Sequence, residues 1–209
     1  MTRPNPDIDD LLNKYASDKH SQNGYAPIYH GLFKHLRDAP ISMLEIGIGT
    51  MLPNVYCSMY GHDLPGYRPG ASLRAWRDYF AHPDSTIHGM DVQPDTMITD
   101  EPKITTHLCN STDLSALRDA LVYAHRFDII LDDGSHIAEQ QFLTLQNLWP
   151  FLKRNGLYVI EDVNRVDHNQ GRILVDLKAP FDEWAREVDA LYFTATFPKA
   201  DVIVISARD

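Results

Sequence analysis

Short apolar runs alternate with helical patterns along this chain, and this alternation constrains the fold more than any other feature. Most of the runs have the near-continuous apolar character of strands buried on both faces of a parallel sheet. Helical periodicity fills several of the gaps between them. The pattern therefore predicts an α/β fold with a Rossmann-like, doubly wound, mostly parallel seven-stranded sheet. The strand-like runs are 41–48, 86–92, 104–108, 127–132, 156–161, 191–196 and 201–206, and the main helical patterns are 72–80, 113–124, 138–153 and 180–191.

The two ends of the chain depart from this alternation. Only residues 197–200 separate the last two runs, which is too short for a parallel crossover, so we expect a C-terminal antiparallel hairpin. Residues 1–40 instead contain two helical patterns joined by a polar loop. We therefore predict an N-terminal helical cap segment over 1–40 and a catalytic domain over 41–209, forming a single domain overall.

Charge and composition exclude several classes of protein. The chain has 19 Lys and Arg against 29 Asp and Glu, a net charge of −10, so a nucleic-acid partner is not expected. No apolar run approaches the roughly 20 residues of a membrane span, and the acidic first ten residues do not resemble a secretory signal. Two cysteines cannot form a disulfide framework, which predicts a cytoplasmic location. An acidic surface suits a neutral small ligand or a metal ion.

A glycine motif follows the first strand, and an acid ends the second. Gly47 and Gly49 allow a ligand to approach the backbone closely, and Glu45 precedes them. Leu52 stands where the dinucleotide fingerprint requires a third glycine, which disfavours NAD. Asp91 can accept hydrogen bonds from both hydroxyls of a ribose. The alternative interpretation of the glycine motif is a tight strand-to-helix turn, and that of Asp91 is a solvated residue at the end of a strand.

Two further polar residues are candidates for the same ligand. Asn110 follows the third strand, where its amide can meet the amino edge of an adenine. It is equally well explained as a turn residue before the next helix. Asp132 ends the fourth strand and is predicted to face either the cofactor or the backbone.

Acidic pairs end the fourth and fifth strands. The pairs are Asp132-Asp133 and Glu161-Asp162, and adjacent parallel strands bring their carboxyl ends together. Four carboxylates in one cleft cannot all stay ionised without a counter-cation. The pattern therefore predicts a hard divalent cation, Mg²⁺, bound by Asp133, Glu161 and Asp162.

A histidine lies at the mouth of the same cleft. His136 follows Asp133 by three residues, and an imidazole can take a proton from an alcohol whose pKa a metal lowers. His136 and Asp133 are thus the catalytic candidates. In the alternative interpretation, Asp132, Asp133 and Ser135 are loop and cap residues and His136 is a surface histidine.

Four separated segments carry a resemblance to a known family. They are Tyr15-Ala-Ser-Asp-Lys-His, the block Pro69–Phe80, Asp-Asp-Gly-Ser-His at 132–136 and Val-Ile-Glu-Asp-Val at 159–163. Over roughly residues 14–165 the chain resembles the metal-dependent sugar O-methyltransferases of macrolide biosynthesis, the mycinamicin and macrocin group of the class I methyltransferases. The resemblance implies S-adenosylmethionine as methyl donor and Mg²⁺ on Asp133, Glu161 and Asp162, with His136 as general base.

The chain also departs from that group. Relatives often read Gly-Asp-Gln-Ser-Asp after the third strand, where this chain has Cys109-Asn-Ser-Thr-Asp113. We further expect the extra N-terminal domain of the macrolide enzymes to be missing. Substrate and oligomeric state are therefore not carried over, and a homo-oligomer stays open.

The sequence thus predicts an O-methyltransferase dependent on S-adenosylmethionine and Mg²⁺, acting on a hydroxyl of a sugar or glycosylated small molecule. Predicted substrate contacts are Tyr25, His20, Arg74 and Tyr60, together with the loop 52–70. The alternatives are a catechol-like or amine acceptor, a non-catalytic module that binds S-adenosylmethionine, and a nucleotide-dependent oxidoreductase.

Overall fold

A seven-stranded sheet forms the centre of the computed structural model, which describes residues 7–20, 23–53, 55, 65–124, 126–163, 172–197 and 200–207. The strand order is β3-β2-β1-β4-β5-β7-β6. The first five strands pair in parallel, which confirms the predicted doubly wound sheet. The strands are β1 (Ser42–Ile46), β2 (Thr86–Asp91), β3 (Ile104–Leu108), β4 (Phe127–Asp132), β5 (Leu152–Glu161), β6 (Ala190–Phe197) and β7 (Ala200–Ala207).

Helices cover both faces of this sheet. On one face α1, α2 and α3 pack around a cluster of aromatic rings that includes Tyr29, Phe33 and Trp76. On the other face α4, α5, α6 and α7 pack around Leu145 and Phe181. The helices are α1 (Ile8–Lys14), α2 (Tyr25–Phe33), α3 (Ala71–Tyr79), α4 (Leu114–Ala120), α5 (Ala138–Leu148), α6 (Ile173–Asp176) and α7 (Lys178–Glu187), with short 3-10 turns at Lys34–Leu36, Pro94–Thr96 and Trp149–Phe151.

The C-terminal hairpin is also confirmed. Strand β7 lies antiparallel to β5, and β6 lies antiparallel to β7 from the Ala190–Ala207 pair to the Phe197–Ala200 pair. The N-terminal helices share one core with β1 and α3, so the predicted cap segment packs directly on the sheet. The domain boundary after residue 40 stays a prediction.

The boundary between α5 and β5 differs from the predicted one. The helix ends at Leu148, because Pro150 lies in a 3-10 turn where its missing N–H costs no helical hydrogen bond. The strand begins at Leu152 rather than Gly156. Its register with β4 is irregular, with Phe127 opposite Leu152 but Ile129 opposite Leu157. Residues 152–155, which precede the predicted strand, therefore belong to an irregular first part of β5.

Among the described residues, no helix combines the length and the apolar character that crossing a membrane requires. The predicted cytoplasmic location is not tested by this observation.

Candidate functional site

A cavity of about 710 Å³ opens at the carboxyl ends of the parallel strands. This is the edge at which open α/β sheets bind ligands. Every residue predicted to bind the cofactor lies on its wall, and so do three of the residues predicted for catalysis and metal binding. These lining residues are Glu45, Gly47, Gly49, Asp91, Asn110, Asp132, Asp133, His136 and Asp162.

Gly47 is required by a neighbouring loop of the protein itself. It has a left-handed backbone with φ of 78°. A Cβ at this position would lie 2.0 Å from the carbonyl oxygen of Asp133. The segment after β4 thus packs closely against the turn after β1, while the approach of a ligand to Gly47 and Gly49 stays a prediction.

The polar residues after β2 and β3 are held by backbone groups. Asp91 accepts hydrogen bonds from the amides of Ile48 at 3.0 Å and Gln93 at 2.9 Å. Asn110 accepts from the backbone amide and the hydroxyl of Thr112, which is the turn role weighed as its alternative. Both residues line the cavity in fixed orientations.

Two of the acids that line the cavity are buried. Glu45 accepts a hydrogen bond from the indole of Trp76 at 3.0 Å, and burial raises the pKa of Glu45 to about 7 despite the nearby charge of Lys19. Asp132 accepts from the Gly134 amide at 3.2 Å, and burial raises its pKa to about 7 as well. Each acid therefore holds its proton near neutral pH more readily than a carboxyl in water.

Three ionisable side chains meet on one side of the cavity. Atoms of Asp133, His136 and Asp162 lie within 4.8 Å of one another. The Nε2 of His136 is 3.6 Å from Asp133 Oδ1 and 3.6 Å from Asp162 Oδ2. His136 Nδ1 is buried, and no hydrogen-bond partner for it lies within the described residues. The hydroxyl of Tyr25 donates to Asp162 Oδ1.

Two of these three residues have a strained backbone. His136 and Asp162 both have φ of 54°, in the left-handed region that residues with a Cβ rarely adopt. Such conformations cost about 1–3 kcal/mol each and cluster at functional sites. The strained backbone turns both side chains toward Asp133.

Lys19 is a site residue that the sequence analysis missed. It lies in the loop between α1 and α2, only 3% exposed. Its ammonium group contacts Asp133 Oδ2, Glu161 Oε2 at 2.7 Å and Glu45 Oε1 at 3.8 Å. Burial disfavours its charge, but the carboxylates outweigh this and raise the pKa of Lys19 well above its usual value. The sequence did indicate that a positive charge was needed, because the crowded carboxylates require a counter-cation.

Glu161 lies apart from the other predicted metal ligands. Its Oε2 accepts from Lys19, and its buried Oε1 has no hydrogen-bond partner in the part of the chain described here. Burial raises the pKa of Glu161 to about 7, opposed by the charge of Lys19. The structure therefore groups Asp133 and Asp162 with His136, whereas Glu161 faces Lys19.

The four residues predicted to contact the substrate differ in where they lie relative to the cavity. Arg74 is buried on α3 and donates to Glu101 at 2.7 Å and to the Pro69 carbonyl at 2.8 Å, so its guanidinium is bound away from the cavity. His20 is not among the described residues that line the cavity, whereas Tyr25 reaches it through Asp162. Tyr60 lies outside the described residues.

Comparison with known proteins identifies relatives in sequence and in fold. Demethylmacrocin O-methyltransferase of Streptomyces fradiae is 33% identical over 163 residues, covering 78% of this chain and 38% of that protein. The 8-demethyl-8-(2-methoxy-alpha-L-rhamnosyl)-tetracenomycin-C 3'-O-methyltransferase of Streptomyces olivaceus is 36% identical over 158 residues, covering 75% of this chain and 37% of that protein. The chain thus spans well under half the length of these relatives. No protein-family model matches it.

A solved structure has the same fold. It is the MycE methyltransferase from the mycinamycin biosynthetic pathway in complex with Mg, SAH and mycinamycin VI, with a TM-score of 0.72 and 24% identity over 97% of this chain and 55% of that one. The chain is therefore a homologue of the macrolide sugar O-methyltransferases of the mycinamicin and macrocin group, and it has the class I methyltransferase fold.

Proposed function

We propose that this chain is an O-methyltransferase dependent on S-adenosylmethionine and Mg²⁺, acting on a hydroxyl of a glycosylated small molecule. The observation that carries the proposal is the group of Asp133, His136 and Asp162 beside the cavity at the sheet edge. The names of the relatives add support, since they describe O-methylation of sugar-bearing molecules. The net charge of −10 favours a neutral acceptor such as a sugar.

The cavity suits a nucleoside-sized cofactor. Its volume of about 710 Å³ lies within the usual range of small-molecule sites. Asp91 and Asn110 would face the nucleoside, and the Gly47 and Gly49 turn would lie beneath the cofactor. S-adenosylmethionine supplies a methyl group on a positively charged sulfur when it is bound.

The donor set suits a hard divalent ion. Two carboxylate oxygens converge from Asp133 and Asp162, and Glu161 keeps a buried oxygen that no described residue satisfies. Oxygen ligands of this kind are those that Mg²⁺ prefers. Asp133 and Asp162 would hold the ion, with Glu161 as the third predicted ligand. When bound, Mg²⁺ orients an acceptor hydroxyl and lowers its pKa.

His136 moves the proton in this proposal. Its Nε2 faces the carboxylates of Asp133 and Asp162 at 3.6 Å. It would accept the proton of an acceptor hydroxyl, and bound S-adenosylmethionine would supply the methyl group that replaces this proton, with its neutral thioether as the leaving group. The two carboxylates then stabilise the imidazolium by their charge. Lys19 donates to Asp133 and Tyr25 donates to Asp162, so each carboxylate has a second partner besides His136.

Replacing His136 tests the base role. We expect His136→Ala to lower kcat by roughly 100- to 10,000-fold, the usual contribution of general base catalysis. His35→Ala, which changes an exposed histidine, is the matched control and should leave kcat unchanged. Transfer of a labelled methyl group would be followed with glycosylated, catechol and amine acceptors, with and without EDTA.

Near-full activity of the His136→Ala variant would contradict the base assignment. Undiminished activity in EDTA would contradict the metal. Transfer to amines but not to hydroxyls would contradict O-methylation.

A further inference from the structure

The Lys19 ammonium group joins three strand ends. Glu45 lies on β1, Asp133 directly follows β4 and Glu161 ends β5, and each has an oxygen within 4 Å of Lys19 Nζ. Lys19 is almost fully buried, and an ammonium group is buried at this depth only when partners compensate its charge. The three ion pairs of Lys19 are therefore part of the structure of the site.

The carboxylate of Asp133 is divided between two surroundings. Its Oδ2 contacts Lys19, whereas its Oδ1 lies 3.6 Å from His136 Nε2, on the side of Asp162. Glu161 is divided in a similar way, with Oε2 on Lys19 and Oε1 without a described partner. Lys19 thus holds one oxygen of each acid and leaves the other oxygen available.

We infer that Lys19 is a positioning residue of the metal site, a resident counter-cation that orients Asp133 and Glu161 and weakens the hold of the site on a divalent ion. This inference rests on the proposed function, because it concerns the ion proposed there. Lys19 fixes Asp133 through Oδ2, so that Oδ1 faces the ion. Its positive charge also offsets one of the negative charges that attract the ion.

The consequence is an order of metal affinities that depends on charge. Lys19→Met removes the positive charge and should bind Mg²⁺ at least tenfold more tightly than the unaltered protein. Glu161→Gln leaves Lys19 less compensated and should bind Mg²⁺ at least threefold more weakly. The double variant Lys19→Met/Glu161→Gln removes both charges and should return to within threefold of the unaltered protein.

Isothermal titration calorimetry with MgCl₂ on the purified protein measures this order without an acceptor. Lys19→Arg keeps the charge and should stay within threefold of the unaltered protein. Lys14→Met is the matched control, because Lys14 is an exposed lysine of the adjoining helix that pairs with Asp78. Its Mg²⁺ affinity should not change.

A purely structural role of Lys19 predicts a different result. Lys19→Met would then be less stable to heat, with an unchanged or weaker Mg²⁺ affinity, and that outcome would overturn the inference. In EDTA, we expect Lys19→Met to unfold at a lower temperature and added Mg²⁺ to recover most of the loss. If Lys19→Met does not fold, the inference depends on the double variant, and a change of more than threefold in its Mg²⁺ affinity would overturn it.

The two proposals fail in different ways. An absence of methyl transfer by the unaltered protein, with the order of Mg²⁺ affinities intact, would overturn the proposed function and support the role of Lys19. Equal affinities in Lys19→Met and the unaltered protein, with methyl transfer intact, would overturn the role of Lys19 alone.

Discussion

The two halves of the site differ in how their polar groups are satisfied. In the half formed by β1 and β2, backbone groups of the protein hold Asp91, and Gly47 packs against a carbonyl. In the half formed by β4 and β5, the side chains of His136 and Asp162 depend on one another and on strained backbone. The negative charge of this half is compensated in part by Lys19.

The difference is the one we expect if the β4–β5 half binds the proposed ligand. Native structures leave few buried polar groups without partners, so His136 Nδ1 and Glu161 Oε1 need an explanation. Left-handed non-glycine residues also persist mainly where function requires them. Among the described residues that line the cavity, the two left-handed non-glycine residues, His136 and Asp162, both lie in the β4–β5 half. His136 Nδ1 and Glu161 Oε1 lie there too, whereas the buried Glu45 Oε1 of the β1–β2 half is 3.8 Å from the charge of Lys19.

The largest effect is expected when a charge is removed from the β4–β5 half, which holds the left-handed residues His136 and Asp162. Asp162→Asn should lower kcat at least ~100-fold, because one charged oxygen beside His136 is lost. Asparagine tolerates a left-handed backbone, so folding should be retained. Steady-state kinetics and thermal unfolding would be measured together.

Asp189→Asn is the control for this variant. Asp189 has a left-handed backbone with φ of 53° but does not line the cavity. Its kcat should stay within twofold of the unaltered protein. Equal losses in both variants would show that strain, rather than charge at the site, limits the activity.

The next prediction concerns the contact between the two halves. Gly47→Ala would place a Cβ 2.0 Å from the Asp133 carbonyl on a backbone with φ of 78°. We expect the free energy of unfolding to fall by about 3 kcal/mol, because both strain and overlap must be relieved. Urea unfolding measures this loss.

Gly31→Ala gives the contrast. Gly31 lies within α2, and nothing is within 4 Å of a Cβ built there. Its replacement should stabilise the protein by about 0.5–1 kcal/mol. A Gly47→Ala variant as stable as Gly31→Ala would mean that the two halves are not tightly joined.

The last prediction concerns the pH-dependent contribution of one histidine in the β1–β2 half. His88 on β2 stacks against His107 on β3, and burial lowers the pKa of His88 to about 4. The unfolded chain, with a pKa of about 6.5, then binds more protons than the folded one between these values. His88 alone should therefore lower the free energy of unfolding by about 1–2 kcal/mol between pH 7.5 and pH 5, against the opposite contribution of Glu45, Asp132 and Glu161, whose raised pKa values favour the folded state as the pH falls.

His88→Phe tests this prediction. The phenyl ring keeps the ring contacts with His107 and Phe127, loses the hydrogen bond to His107 Nε2 and cannot take a proton. Relative to the unaltered protein, the variant should gain about 1–2 kcal/mol of unfolding free energy at pH 5 compared with pH 7.5, because the contribution of His88 is gone. The same slope in both proteins would assign the pH dependence to other groups.

The sequence predicted those features that short patterns determine. Apolar runs gave the strands and the terminal hairpin, and strand ends placed Asp91, Asp133 and Asp162 on one cavity. The features that the sequence analysis did not predict depend on contacts between residues far apart in the chain. Lys19 meets Asp133 across 114 positions, and no local pattern encodes that meeting. Arg74 was taken as a substrate contact because its partner Glu101 was not foreseeable from the helix that carries it.

Lys19 and Glu161 lie 142 positions apart, so their ion pair closes most of the chain into one loop. An ammonium group that entered the interior before its carboxylates were in place would carry a desolvation penalty of several kcal/mol. We therefore expect the loop between α1 and α2 to dock after the sheet has assembled, so that the proposed metal site is completed late in folding.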